Sequence, residues 1–377
     1  MRILELLSSP VWTGPAEPMA SVARILARRG HQVEMAVDDA RPGDLRDRLR
    51  ELGFNLRLDL TLSTKAGPWS HLRDAWTLRR AARELDVVHA HFSNDHALAL
   101  VAVAGAGRGR RARVVRTVHS SRSLRARALQ GAVHRRTDGL VAVCREHARI
   151  LVERFEVGED RVLASRGAVD PVRFAPAGHD LRAELGLQPG QPVAGIVSRV
   201  KPDRRHAELV EAFRPVAARL PDARLVIVGR GEGLAELRAR VERAGLVRQV
   251  IFAGYRTGDE LGAAYRTLDC KVLLAEGNDG TCRALLEAMA CGRPGVAYRF
   301  GAPAETVVDG RTGLLVEPGD VGALSAALWE LLSAPGRARG LGAAARERMV
   351  AHHGEEARAL EIEAFLESVR ARPPAGV

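Results

Sequence analysis

LLAEGNDGTCRALLEAMACGRPGV, residues Leu273–Val296, reads as a strand, a loop and a helix. The apolar run Cys270–Leu274 leads in, Asp279-Gly280 ends the loop, Ala284–Ala290 follows a helical pattern, and Gly292-x-Pro294 stops it. Asp279 and Glu287 stand eight residues apart, just over two turns if both are helical. One carboxylate then lies at the start of the element and the other inside the helix. Exposed N–H groups at a helix start attract phosphate, and a carboxylate can accept hydrogen bonds from two sugar hydroxyls. Asp279 would serve equally as a charge partner for the helix N-terminus.

Working outward, the same rhythm repeats. Short apolar runs at Arg2–Leu7, Gln32–Val37, Val87–His91, Val114–Val118 and Gly139–Val143 read as strands. So do Pro192–Ser198, Arg224–Val228 and Val250–Phe252. Helical patterns lie between them, such as Ala16–Arg29 closed by Gly30. Near-continuous apolar strands alternating with amphipathic helices predict parallel sheets covered on both faces. Two such series predict an α/β protein with two Rossmann-like, doubly wound domains. Turn-rich text at Arg166–Pro171 and Phe174–Gly178 interrupts the rhythm, giving expected domains at 1–172 and 173–350. A C-terminal helix and tail, 351–377, has Ala359, Ile362, Leu366 and Val369 at helical spacing and can pack back on the first domain. In such folds ligands gather at the carboxyl ends of the strands, and a cleft between domains is the natural active site.

With 377 residues, 46% hydrophobic and 27% charged, the chain can bury two cores, which excludes disordered, collagenous and low-complexity classes. The start MRILELL lacks a secretory pattern, and the longest apolar run, Ala97–Gly107, is too short to span a bilayer, so a cytoplasmic protein is expected. Cys144, Cys270, Cys282 and Cys291 form no C-x-x-C pair, which argues for reduced thiols over disulfides or a zinc site. The net charge of +11 is unevenly placed: residues 101–150 hold twelve arginines against only Asp138 and Glu146. Such a patch attracts phosphate-rich partners. Lysine occurs only at 65, 201 and 271.

The 273–296 segment resembles the signature of glycosyltransferase family 4, retaining enzymes of the GT-B fold, whose pattern is Glu-Gly-Phe-Gly, then Glu-Ala-Met-Ala-x-Gly-x-Pro. Here it runs Asp279-Gly280-Thr281-Cys282-Arg283, then Glu287-Ala288-Met289-Ala290-Cys291-Gly292-Arg293-Pro294. The resemblance implies that Glu287 holds the ribose hydroxyls of a nucleotide and that Asp279 lies near the transferred sugar. Ser198-Arg199-Val-Lys-Pro-Asp-Arg204-Arg205 is similar to the family's Arg-x4-Lys-Gly, whose two cations grip the donor diphosphate. Arg199 and Arg204 match them. The turn after Arg224–Val228, at Gly229, resembles the family's glycine turn, although alone it would suggest a dinucleotide site as well. Gly254-Tyr255-Arg256 is similar to the segment that holds the base by backbone contacts. Gly14-Pro-Ala-Glu17 resembles the Gly-Gly-x-Glu loop under the donor phosphates, and His119 falls where the family keeps a cleft histidine beside the sugar. His89-x-His91 with His96 shows no carboxylate partner at ligand spacing, so no metal is expected.

The resemblance therefore implies transfer of a sugar from a nucleoside diphosphate to the hydroxyl of a glycan, glycolipid or small-molecule glycoside, with retention and without a further cofactor. Arg199 and Arg204 would neutralise the leaving group, Glu287 anchor the ribose, Asp279 orient the sugar and His119 contact it. Two other readings share the architecture: a non-catalytic nucleotide-sugar-binding subunit and a nucleotide-sugar epimerase. Residues 108–136 suggest an anionic membrane surface as a partner, because Leu124, Leu129 and Val133 share one face of Ser121–Arg136 beside Arg122, Arg125, Arg127, Arg135 and Arg136. The patch has no interleaved aromatics, so nucleic acid is not expected.

Overall fold

The computed structural model describes residues 1–63, 65–105, 112–125, 128–276 and 279–375, with the side chains of 128–129 and 279–281 outside the described set. The chain forms two compact units: one contains Met1–Arg166 and Glu355–Val377, the other Gly167–Gly277 and Thr281–Gly354.

The first unit holds seven strands, β1 Arg2–Leu7, β2 Gln32–Val37, β3 Asn55–Leu56, β4 Val87–Ala90, β5 Arg113–Val118, β6 Gly139–Ala142 and β7 Val162–Ala164. They pair in parallel in the order β3-β2-β1-β4-β5-β6-β7. The period-two alternation of strand side chains is visible in β1. Ile3 and Leu7 pack with the helix Ala16–Arg28, while Leu4 and Leu6 pack on the opposite face with Leu78 and Ala99. The helix Glu355–Ala371 returns to this unit, burying Ala359, Ile362, Leu366 and Val369 in the cluster that holds Ile25 and Leu26. Its Glu363 accepts hydrogen bonds from Arg29 Nε at 2.6 Å and His31 Nε2 at 2.5 Å.

The second unit has six parallel strands, β8 Val193–Val197, β9 Arg224–Val228, β10 Val250–Gly254, β11 Cys270–Leu273, β12 Gly295–Tyr298 and β13 Gly313–Val316, in the order β10-β9-β8-β11-β12-β13. Both sheets thus reverse direction beside their first strand, the doubly wound arrangement expected. The expected strands are present. The edge strands β3 and β7 and the last pair β12 and β13 add to them, and the helix after β11 spans Asp279–Ala290 rather than starting at Ala284. Gly280 and Thr281 are weak helix formers and masked that first turn.

Candidate functional site

In doubly wound sheets the ligand crevice opens at the carboxyl ends of the two strands where the order reverses. In the second unit these are β8 and β11. After β8 the chain turns through Ser198–Arg205, with Arg205 in the left-handed region at φ 57°, and enters the helix His206–Arg219. The loop is held by the turn after β9: a Cβ on Gly229 (φ 149°) would lie 1.9 Å from the Ser198 carbonyl oxygen, and one on Gly231 would lie 2.2 Å from that of Val200. These glycines therefore allow two backbones to touch, fixing the segment that carries Arg199 and Arg204. Gly231→Ala is expected to cost about 1–3 kcal/mol in stability; a wild-type melting temperature would show that the contact is dispensable.

Charged and titratable groups of this unit act on one another through the loop after β8, the strand β11 and the helix that follows it. The charges of Lys271 and Arg204 both act on His206, and the charge of Glu287 acts on Lys271. Burial pushes the His206 imidazole down to about 4, with the two cations acting in the same sense. Its Nε2 sits 3.2 Å from Ser198 Oγ. Lys271 is fully buried in β11 and donates to the Val272 carbonyl at 2.6 Å. Burial lowers its ammonium to about 7 against the opposing pull of Glu287. Glu287, 2% exposed, accepts one hydrogen bond on each oxygen: Tyr265 Oη to Oε2 at 2.6 Å and Arg283 Nε to Oε1 at 2.7 Å. A carboxylate has about four acceptor sites, so two remain for further donors.

The first unit's strand reversal lies between β1 and β4. Parallel pairing sets Glu5 opposite His89, and both are buried. Glu5 accepts from His89 Nδ1 on Oε1 at 3.3 Å and from His91 Nε2 on Oε2 at 2.8 Å. His91 Nδ1 lies 2.9 Å from His119 Nε2, and His89 Nε2 lies 2.8 Å from Thr117 Oγ1. Burial alone would raise the Glu5 carboxyl, but His89 and His91 outweigh it and hold it at about 2; burial drives the His91 imidazole down to about 3. Proton roles follow from this. His91 donates its Nε2–H to Glu5, so its Nδ1 accepts the Nε2–H of His119. Glu5 is also the carboxylate that the spacing of His89 and His91 did not reveal. Among the described residues, Glu5, His89 and His91 form the group able to hold a metal ion, with ligand atoms within 4.8 Å of one another. The contacts within it, 2.8 and 3.3 Å, are those of hydrogen bonds.

Two family models match the sequence: Glycosyltransferase Family 4 over residues 16–173 and Glycosyl transferases group 1 over residues 179–348. A D-inositol 3-phosphate glycosyltransferase of Nocardia farcinica is 30% identical over 92% of this chain and 82% of its own length. The chain belongs to glycosyltransferase family 4. A GDP-mannose-dependent alpha-(1-6)-phosphatidylinositol monomannoside mannosyltransferase of Mycolicibacterium smegmatis is 36% identical over 47% of this chain, and the match spans about half (49%) of that protein. Among solved structures, Anabaena Alr3699/HepE in complex with UDP superposes with a TM-score of 0.84 over 98% of this chain and 100% of that one, at 19% identity, which establishes the GT-B fold.

The structure places the remaining expected residues of this family-4 chain unevenly. Arg199 is exposed on the loop after β8, and Arg204 is mostly buried. Gly14 is exposed just before the helix Ala16–Arg28, where Trp12 Nε1 donates to Glu17 at 3.0 Å. Tyr255 is exposed beneath the Arg230 guanidinium, 4.2 Å from the ring centroid. Arg256 pairs with Glu184 and Glu260 and donates to the Ala253 carbonyl, so its side chain is engaged structurally. Cys282 is buried, and none of the four cysteines is in a disulfide. Asp279, Gly280 and Thr281 begin the helix, their side chains outside the described residues.

The amphipathic reading of Ser121–Arg136 is corrected. This stretch is a short 3-10 turn, Ser121–Leu124, and a separate helix, Ala128–Arg135. Leu124 packs into a core with Val118, Leu151 and Phe155. Arg108, Arg110, Arg111 and Arg127 lie outside the described residues, as does the Leu129 side chain. Sequence reasoning missed Glu5, Tyr265, His206 and Lys271. Lys271 did carry a signal: it is one of three lysines in a chain whose basic residues are otherwise all arginine.

Proposed function

We propose that this protein transfers a sugar from a nucleoside diphosphate to an acceptor hydroxyl with retention of configuration, the acceptor being a glycan, a glycolipid or a small-molecule glycoside. The observation that carries this reading is the buried Glu287 carboxylate on the helix after β11, with two acceptor sites to spare, in the same unit as Arg199 and Arg204 on the loop after β8. Together these residues offer cationic charge for a diphosphate and a carboxylate for ribose hydroxyls. The GDP-mannose and UDP named for the two proteins above support that ligand class.

In this reading the bond between the anomeric carbon and the diphosphate oxygen breaks, and its electron pair leaves on the diphosphate. Arg199 and Arg204, with the first N–H groups of the helices at His206 and Asp279, stabilise that charge. The acceptor oxygen bonds the same face of the sugar and passes its proton to the departing oxygen. Asp279 orients the sugar. His119 contacts the sugar, its ring held by the bond from Nε2 to His91 Nδ1 at 2.9 Å. Glu5 and His91 are then positioning residues. His91→Leu is expected to lower kcat roughly tenfold, the worth of one lost oriented hydrogen bond. His91→Asn, which can keep an acceptor facing His119, restores most of it; equal losses in both variants would contradict the role.

The test is nucleoside diphosphate release from a panel of UDP- and GDP-sugars with acceptor extracts present, followed by anomeric analysis of the product. Release with an α-linked product from an α-linked donor supports the reading. Binding without turnover would favour a partner subunit, and a product still attached to nucleotide would favour epimerisation.

A further inference from the structure

We propose that the helix Pro68–Ala81 is the face by which this protein docks on a membrane carrying anionic lipid. The helix packs Leu78 and Ala81 into the core of the first unit. Its opposite side exposes Trp69 (83%), Leu72 (60%) and Trp76 (58%). Positions i, i+3 and i+7 fall within about 60° of one another around a helix, so the three form a single stripe. Aromatic residues are only 4% of the chain, and two of its four tryptophans are spent here on solvent.

The charge around the stripe is mainly basic, and Glu84, exposed just beyond the helix, pairs with Arg2 at 3.2 Å. Arg73, Arg79 and Arg80 on the helix and Arg83 just after it are exposed, and the Arg80 guanidinium lies 4.8 Å from the Trp76 ring centroid. The helix has one acidic residue, Asp74. It is buried and takes up the backbone N–H groups of Thr61 and Leu62 at 2.9 Å each, which leaves the solvent side purely basic. The neighbouring helix Ser93–Ala104 extends the face: Arg79 lies against Gly105, and one turn earlier Val101 is exposed. Tryptophan settles at the level of lipid headgroups, and arginines beside it are drawn to anionic lipid. The pattern fits a helix lying in the interface plane. This surface stands independently of the transferase reading.

The test is flotation of the full chain with vesicles of phosphatidylcholine alone or with phosphatidylglycerol added, in low and high salt. Binding is expected to the anionic vesicles in low salt, falling about tenfold in high salt or on neutral vesicles. Trp69→Ser/Leu72→Ser/Trp76→Ser and, separately, Arg79→Ser/Arg80→Ser should each reduce it by at least about tenfold, with release of nucleoside diphosphate from a soluble sugar donor unchanged. If the triple variant misfolds by circular dichroism, Trp69→Ser alone serves, since that side chain is almost wholly exposed. No binding by the wild type would overturn the proposal, as would binding lost through Arg122→Ser/Arg125→Ser but kept by the helix variants. A dimer in solution that the triple variant abolishes would make a second copy the occupant, and would equally overturn it.

Discussion

Glu287→Gln is expected to lower kcat/KM for the nucleotide sugar about a hundredfold, with a change in melting temperature of only a few degrees. The amide keeps the carboxylate's shape and can still accept from Tyr265 Oη, which lies 2.6 Å from one oxygen. It loses the charge that makes the bonds to Arg283 and to ribose hydroxyls strong. Glu287→Ala should behave differently. It leaves the Tyr265 hydroxyl without its acceptor and the buried Lys271 ammonium without the opposing charge. Removing one partner of a buried charge pair costs about 3–5 kcal/mol, so this variant should lose fold stability along with activity. Kinetics and thermal melts on both variants separate the two roles. A fully active Glu287→Gln would remove the ribose contact from the account.

A steep loss of stability on mild acidification is the second large expected effect. His96, His134 and His206 are buried with their imidazoles held below the usual value: His134 and His206 at about 4, and His96 well below 6.5. Burial is the first cause in each. For His96 and His134 the Arg116 guanidinium is the second, and its Nη1 lies 3.2 Å from His96 Nδ1. The unfolded chain takes up these protons near pH 6.5 while the folded chain refuses them, so stability falls as pH drops below that value. Each group contributes about 1.4 kcal/mol per pH unit between its two pKa values. Asp95, raised to about 6 by burial, acts in the opposite sense and offsets one of the three. A net loss on the order of several kcal/mol between pH 6.5 and 4.5 should appear as a falling melting temperature. His206→Asn should flatten the curve; a flat wild-type profile would contradict the buried neutral state.

How much of this was legible differs from residue to residue. β1 and β8 could be read because a central parallel strand is buried on both faces, and their text is almost wholly apolar. β3 and β7, of two and three residues at the sheet edges, offer too little pattern to register. Arg199, Arg204 and Glu287 were visible because each belongs to a local motif beside a strand end. Glu5 was not: its partners are 84 and 86 residues away, and only the pairing of β1 with β4 brings them together. Tyr265 meets Glu287 through packing of one helix against another, which no spacing rule encodes. The spacing of Ser121–Arg136 suggested one helix because it does not mark the break between the turn Ser121–Leu124 and the helix Ala128–Arg135.

A crystal structure of the protein with a bound nucleoside diphosphate tests the central claim most directly. Phosphate oxygens are expected in contact with the guanidinium groups of Arg199 and Arg204, and ribose hydroxyls donating to the Glu287 carboxylate. A nucleotide seated elsewhere, with Glu287 still enclosed by Tyr265 and Arg283 and both arginines turned to solvent, would contradict it.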